Sequence, residues 1–194
     1  MRLVLNKMTI DPSLDGKEII VGITGGIACY KVADLVSKLV QCGANVQVLM
    51  TEAATKFVSP LTFSSLSGNA VFDSQWSFVE GHDPQHIRIA KKTDLMLIAP
   101  CTMNMLAKLA VGMTNDPVSL VASAIDRSVT PVLIAPAMNA TMINQPATQR
   151  NLELLSKDTF IILPSEDGWQ ACKTIGLGRM PEPNSLLNAI KDVI

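Results

Sequence analysis

Five short apolar runs recur along the chain: EIIVGIT (18–24), NVQVLM (45–50), DLMLIA (94–99), TPVLIA (130–135) and TFIILP (159–164). Each is apolar at consecutive rather than alternate positions, the pattern of a strand covered on both faces. Between the first two, Ile27, Val32, Leu35, Val36, Leu39 and Val40 approximate a helical stripe that ends near Gly43. The unit is a strand, a tight turn, a helix and a second strand. Its repetition predicts an α/β fold, a parallel sheet with helices on both faces and right-handed crossovers. Such sheets bind ligands outside the carboxyl ends of their strands, so the segments just after each strand are the candidates for function. No internal repeat, low-complexity tract or interdomain linker interrupts the pattern. Residues 1–17 are expected as a leader and residues 18–194 as a single domain.

Composition narrows the classes. The chain has 194 residues and 48% apolar content, enough for a substantial core. Its formal net charge of -1 provides no broad attraction to nucleic acid or to a membrane surface. Cys29, Cys42, Cys101 and Cys172 form no CxxC pair and no dense cluster, so neither a metal site nor a disulfide framework is expected. Reduced thiols in a cytoplasm are the simplest expectation, and charges interrupt the apolar stretches before membrane-spanning length.

After the first strand, Thr24-Gly25-Gly26-Ile27-Ala28 suits a close ligand approach at a helix start, although a plain tight turn explains it equally well. Thr51 after the second strand offers a helix cap or a ligand hydroxyl, with capping the simpler role. After the third come Thr102-Met103-Asn104-Met105 and later Gly112-Met113-Thr114-Asn115-Asp116. After the fourth come Ala137-Met138-Asn139-Ala140-Thr141-Met142, between Pro136 and Pro146. Hydroxyl and amide side chains there can bind a ring edge or a phosphate, and they also cap helices. Met103, Met105, Met113, Met138 and Met142 suit the wall of a ring pocket or simple core filling. Of the two histidines, His82 reads as an exposed loop residue, and His86 opens a short helical turn before the third strand. The segment WQACKTIGLGRM (169–180), rich in glycine, is expected as a mobile loop without settled helix or strand, carrying Cys172 beside Lys173.

Five segments in order, GGIACYK, HIRIAKKTDLMLIAP, GMTND, PAMNATM and ACKTIGLGRM, resemble the family of homo-oligomeric flavin-containing cysteine decarboxylases. The match runs from about Lys17 to the C-terminus. The resemblance implies a flavodoxin-like, Rossmann-type fold, FMN as cofactor, a small-molecule substrate, and homotrimers or assemblies of trimers with active sites between subunits. By position it assigns Gly25, Gly26, Ile27, Ala28, Thr51, Thr102, Met103, Asn104, Met105 and Ala137 to the flavin. It makes His86 catalytic. Asn139, with Met138 beside it, matches the carboxylate-binding asparagine of the PxMNxxM motif, and Cys172, next to Ala171, the cysteine of a mobile flap over the substrate.

This chain departs from the family pattern at Met105, Pro117 and Ile143, which bear on flavin and flap packing and spare His86, Asn139 and Cys172. With Ile194 as the last residue, a decarboxylase without a fused ligase is expected. The alternatives are a peptidyl-cysteine decarboxylase, which would not need the Cys172 flap, a flavin prenyltransferase, or a non-catalytic relative that regulates a phosphatase.

Overall fold

The computed structural model describes residues 12–76 and 84–194. In chain order the elements are β1 (Glu18–Ile23), α1 (Cys29–Gln41), β2 (Asn45–Met50), α2 (Glu52–Thr55), α3 (Pro60–Ser67), α4 (Gln85–Lys92), β3 (Leu95–Cys101) and α5 (Met103–Val111). There follow α6 (Pro117–Ala124), β4 (Val132–Pro136), α7 (Ala140–Ile143), α8 (Pro146–Lys157), β5 (Ile161–Ile162), β6 (Glu166–Trp169), β7 (Ile175–Arg179) and α9 (Pro183–Lys191). Strands β1 to β5 make one sheet in the order β2-β1-β3-β4-β5, every pair parallel. This is the flavodoxin-like order, reached because each crossover helix returns the chain to the amino end of the sheet.

The consecutive apolar positions of the strands divide between two faces because successive side chains point oppositely. Ile19, Val21, Val46, Val48, Leu95 and Leu97 pack with α1, α3 and α9, where Val32, Leu35, Phe63, Leu186 and Ile190 are buried. Ile20, Met96, Ile98, Val132 and Ile134 pack on the other face with α5, α6 and α8, through Leu106, Val118, Val121 and Leu155. Leu14, ahead of β1, is also buried, and its N–H donates to the Cys42 carbonyl at the end of α1.

Three expectations change. Helix α1 begins at Cys29, and Ile27 is 59% exposed, outside the buried stripe. The fifth strand shrinks to Ile161–Ile162 at the sheet edge, preceded by Thr159 at φ 69°. Most consequentially, the glycine-rich segment is not an unstructured loop: β6 and β7 pair antiparallel as a separate two-stranded sheet with Cys172 in its tip. His82 lies outside the described residues. Among the described residues no helix is long and apolar enough to cross a membrane.

Candidate functional site

A cavity of about 1310 Å³ opens at the carboxyl ends of β1 and β3. The strand order places it there: the chain leaves β1 toward β2 on one side and crosses to β3 on the other, so the loops after β1 and β3 part and leave a crevice. Its floor is built from the turns after β1, β2 and β3. Thr24, buried at the end of β1, donates its hydroxyl to the Pro100 carbonyl at 2.6 Å and accepts the Thr102 N–H at 3.0 Å. One side chain thereby ties together two strand ends 78 residues apart in sequence. Each such bond contributes about 1 kcal/mol net, and more is lost when a buried partner is left unpaired.

Gly25 lies against the first turn of α2. A Cβ there would stand 2.4 Å from Ala53 Cβ and 3.0 Å from its carbonyl carbon, so only glycine lets the two turns touch. At Gly26 the same atom would meet Thr102 Cγ2 at an ordinary 3.6 Å. Thr51 and Thr102 cap α2 and α5, their hydroxyls accepting from the Ala54 and Met105 N–H groups, both at 3.3 Å. Both threonines also line the cavity. Of the two roles weighed for them from sequence, capping is thus filled, by side chains that also stand in the cavity wall.

The opposite wall is the segment after β4 with the β6–β7 hairpin docked on it. Asn139 caps α7, its Oδ1 accepting the Met142 N–H at 2.8 Å. Because that N–H requires an oxygen, the amide orientation is settled, and among the described residues Nδ2 is left with no protein acceptor. The hairpin is attached by backbone and by one side chain. Met138 N–H donates to the Gly178 carbonyl at 2.9 Å. Gln170, itself buried, donates through Nε2 to the Gly176 and Leu177 carbonyls and accepts from Ala140 N–H. Gly178 has φ 119°, and a Cβ on it would lie 2.2 Å from the Met138 oxygen.

At the tip, Gln170 N–H donates to the Thr174 carbonyl and Lys173 N–H to the Gln170 carbonyl, closing a tight turn with Lys173 at φ 64°. Cys172 is exposed there, while Cys29, Cys42 and Cys101 are buried. Burial raises the Cys29 and Cys101 thiols above their ordinary pKa, whereas a hydrogen bond with the Thr174 hydroxyl lowers that of Cys172. The reactive thiol is therefore the one at the tip.

Two charge groups frame the mouth. Lys108 of α5 pairs with Asp116 at 2.7 Å with side chains 16% and 10% exposed, and Asp116 also accepts the Ser119 N–H that starts α6. Loss of one partner from so enclosed a pair costs about 3–5 kcal/mol. On the other side, Lys31 of α1 and Arg179 of β7 share the carboxylate of Glu182. Burial, and then the Arg179 charge, hold the Lys31 pKa below its usual value.

Residues 9–194 match the model of the family described as Flavoprotein. The chain belongs to the flavoprotein family. This flavoprotein is 45% identical over 175 residues to the coenzyme A biosynthesis bifunctional protein CoaBC of Vibrio cholerae, which covers 90% of the chain and 43% of that protein. It is 40% identical over 174 residues to CoaBC of Bacillus subtilis, covering 90% and 42%. The chain thus spans less than half the length of these relatives. Among solved structures it resembles a PPC decarboxylase mutant complexed with pantothenoylaminoethenethiol, with TM-score 0.80, 25% identity, and 90% and 96% of the two chains covered. It also resembles the FMN-dependent cysteine decarboxylase SpaF, with TM-score 0.78, 26% identity, and coverage of 93% and 96%.

In this flavoprotein the cavity gathers all the positions assigned to flavin by resemblance, from Gly25 to Ala28, Thr51, Thr102 to Met105, and Ala137, together with Met138, Asn139, Ala171 and Cys172. His86 is not among the lining residues. It sits half-buried in the first turn of α4, which packs beside α6. Met113 also stays outside, half exposed. Sequence reasoning missed Lys31, Lys108, Gln170 and Glu182, and it included Thr24 only as the start of the glycine turn, without a role of its own. Thr24 and Gln170 are ordinary polar residues in sequence and acquire importance only through partners distant in the chain or across the hairpin.

Proposed function

We propose that this flavoprotein holds FMN in the crevice between β1 and β3 and decarboxylates 4'-phosphopantothenoylcysteine to 4'-phosphopantetheine in coenzyme A biosynthesis. The observation that carries the reading is that one cavity contains a glycine turn at a helix start, the Asn139 amide donor and the Cys172 thiol. The donor set fits a flavin: Gly25 and Gly26 at the start of α1 suit a phosphate, Thr51 and Thr102 offer hydroxyls, and Met103, Met105 and Met138 suit a planar ring. The CoaBC relatives and the neighbouring decarboxylase structures support the same activity.

An α-carboxylate beside an amide nitrogen has no electron sink, so the substrate must be oxidised before carbon dioxide leaves. Held by the turns after β1, β2 and β3, FMN would supply reversible two-electron redox chemistry at the carbon next to sulfur. The oxidised substrate is a thioaldehyde, whose C=S group takes up the electrons of the departing carboxylate to give an enethiolate. Asn139 orients that carboxylate through its free Nδ2. His86 manages the thiol proton during oxidation. Cys172 gives a proton to the carbon that lost carbon dioxide, which permits the final reduction and separates this product from an oxidised enethiol. The presence of Cys172 in the cavity wall favours net decarboxylation over the oxidative outcome of peptidyl-cysteine decarboxylases.

Flavin-loaded protein incubated with 4'-phosphopantothenoylcysteine is expected to release carbon dioxide and form 4'-phosphopantetheine by mass spectrometry. Unchanged substrate at full FMN occupancy refutes the assignment.

Because His86 lies outside the cavity lining of its own chain, we assign it to the site of a neighbouring subunit in a homotrimer or an assembly of trimers. Inactive His86→Asn and inactive Asn139→Ala chains, reassembled together, are expected to regain part of the wild-type activity. Hybrid assemblies with no activity would place His86 within its own site or remove it from the reaction.

A further inference from the structure

The Cys172 sulfur has two polar neighbours of different kinds. Thr174 Oγ1 lies 2.9 Å away and Gln170 Oε1 lies 3.6 Å away. Gln170 is not free to follow the thiol, because its amide is held by the Gly176, Leu177 and Ala140 backbone. Thr174 sits two residues past the cysteine, on the far side of the turn that forces Lys173 to a positive φ. The turn therefore brings a hydroxyl onto a sulfur that lines the cavity.

Resting on the reading of Cys172 as the proton donor, we propose that Thr174 is the positioning residue that makes Cys172 an effective acid, with Gln170 fixing where its sulfur stands. The thiol proton passes to the carbon of the enethiolate that lost carbon dioxide, giving a thioaldehyde. The hydride held on the reduced flavin then adds to the carbon next to sulfur, so the substrate gains two electrons and the flavin loses two. Cys172 is left as a thiolate, and the Thr174 O–H donates to it until water restores the proton. A hydroxyl that bonds the sulfur more strongly in the charged form stabilises the product of proton transfer.

The ionisable groups of the hairpin are Glu166, Asp167, Lys173 and Arg179, and those lining the cavity from other elements are Tyr30, Lys31, Asp34, Glu52, Lys108, Asp116 and Glu182. Helix α7, packed against β7, contributes none. Thr174 and Gln170, rather than any of these, bond the sulfur among the described residues. The direction of the Cys172 pKa agrees, since the Thr174 hydrogen bond is its largest cause.

The test compares Thr174→Val, Thr174→Ser and Cys172→Ser as flavin-loaded assemblies. One readout needs no turnover: the pH dependence of alkylation by iodoacetamide, which reaches Cys172 while the other three thiols are buried. Thr174→Val is expected to raise the alkylation midpoint, since it removes the hydrogen bond that lowers the Cys172 pKa. The second readout is the ratio of 4'-phosphopantetheine to the product with two hydrogens fewer. A weaker acid gives up its proton more slowly in the transfer to carbon, so Thr174→Val is expected to lower that ratio at neutral pH. Thr174→Ser is expected to restore both. An unmoved midpoint, an unchanged ratio, or failure of serine to rescue overturns the proposal. Cys172→Ser separates the two levels: if it still yields the fully reduced product, the proton-donor reading falls, whereas enethiol from Cys172→Ser with wild-type behaviour in Thr174→Val removes Thr174 alone.

Discussion

A Gly25→Ala variant is expected to purify colourless. The added methyl would stand 2.4 Å from Ala53 Cβ, 3.0 Å from its carbonyl carbon and 3.2 Å from its Cα, and backbone has no alternative rotamer to adopt. Thr51 N–H is bonded to the Ile23 carbonyl, and the Thr51 side chain caps α2, so the two turns cannot part without breaking contacts on both strands. The turn between β1 and α1 is then expected to move away from Thr51 and Thr102, and the donors of the proposed FMN site no longer converge. We expect at least a hundredfold loss of FMN affinity, about 2.8 kcal/mol, measured by flavin fluorescence titration of refolded apoprotein. A melting temperature lower by several degrees accompanies it, at about 2–4 °C per kcal/mol for a domain of this size. Gly26→Ala is the comparison, because its methyl meets Thr102 and Pro100 only at 3.6 and 3.7 Å and leaves the fold unstrained. Wild-type affinity in Gly25→Ala would show that the cradle does not depend on this contact.

The second large effect belongs to Gly178→Ala, and it is expected to leave the main sheet intact while undocking the hairpin. Alanine at φ 119° is strained by about 1–3 kcal/mol before any contact is considered. Its Cβ would also lie 2.2 Å from the Met138 oxygen, in the place where Met138 N–H meets the Gly178 carbonyl. Relief is available only by moving β7 off the segment after β4, which pulls Gln170 from Ala140 and carries Cys172 away from Asn139. The predicted readout is a protein that keeps its flavin and most of its thermal stability but loses at least tenfold in 4'-phosphopantetheine formation. What product remains shifts toward the form with two hydrogens fewer, and the hairpin becomes sensitive to brief proteolysis. Full yield of reduced product from this variant would contradict the docking role.

The sheet was legible in the chain because its strands are buried on both faces, so each writes a continuous apolar run into the sequence. The edge strand around Ile161 was over-read for the opposite reason: apolar residues extend beyond the two positions that pair with β4. The hairpin escaped detection altogether. Its glycines at 168, 176 and 178 dilute the strand pattern, and Trp169 and Ile175 are 64% and 77% exposed, so burial does not explain its shape. Backbone pairing and Gln170 hold it instead, and neither has a periodic signature. At the site, Asn139, Cys172 and the glycine turn stood out through position after a strand or through unusual chemistry. Thr24 did not, because its importance consists of meeting Pro100 and Thr102, which no local pattern announces.

The two-stranded sheet shares no ladder with the five-stranded one. Residues 166–179 therefore form a cassette, and in the proposed reaction it carries the residue of the last step, Cys172. A lineage that replaced this cassette alone would inherit the oxidation chemistry and alter only its last step. In the proposed reaction, a change between reductive and oxidative outcomes then requires a local change in a single hairpin rather than a new fold.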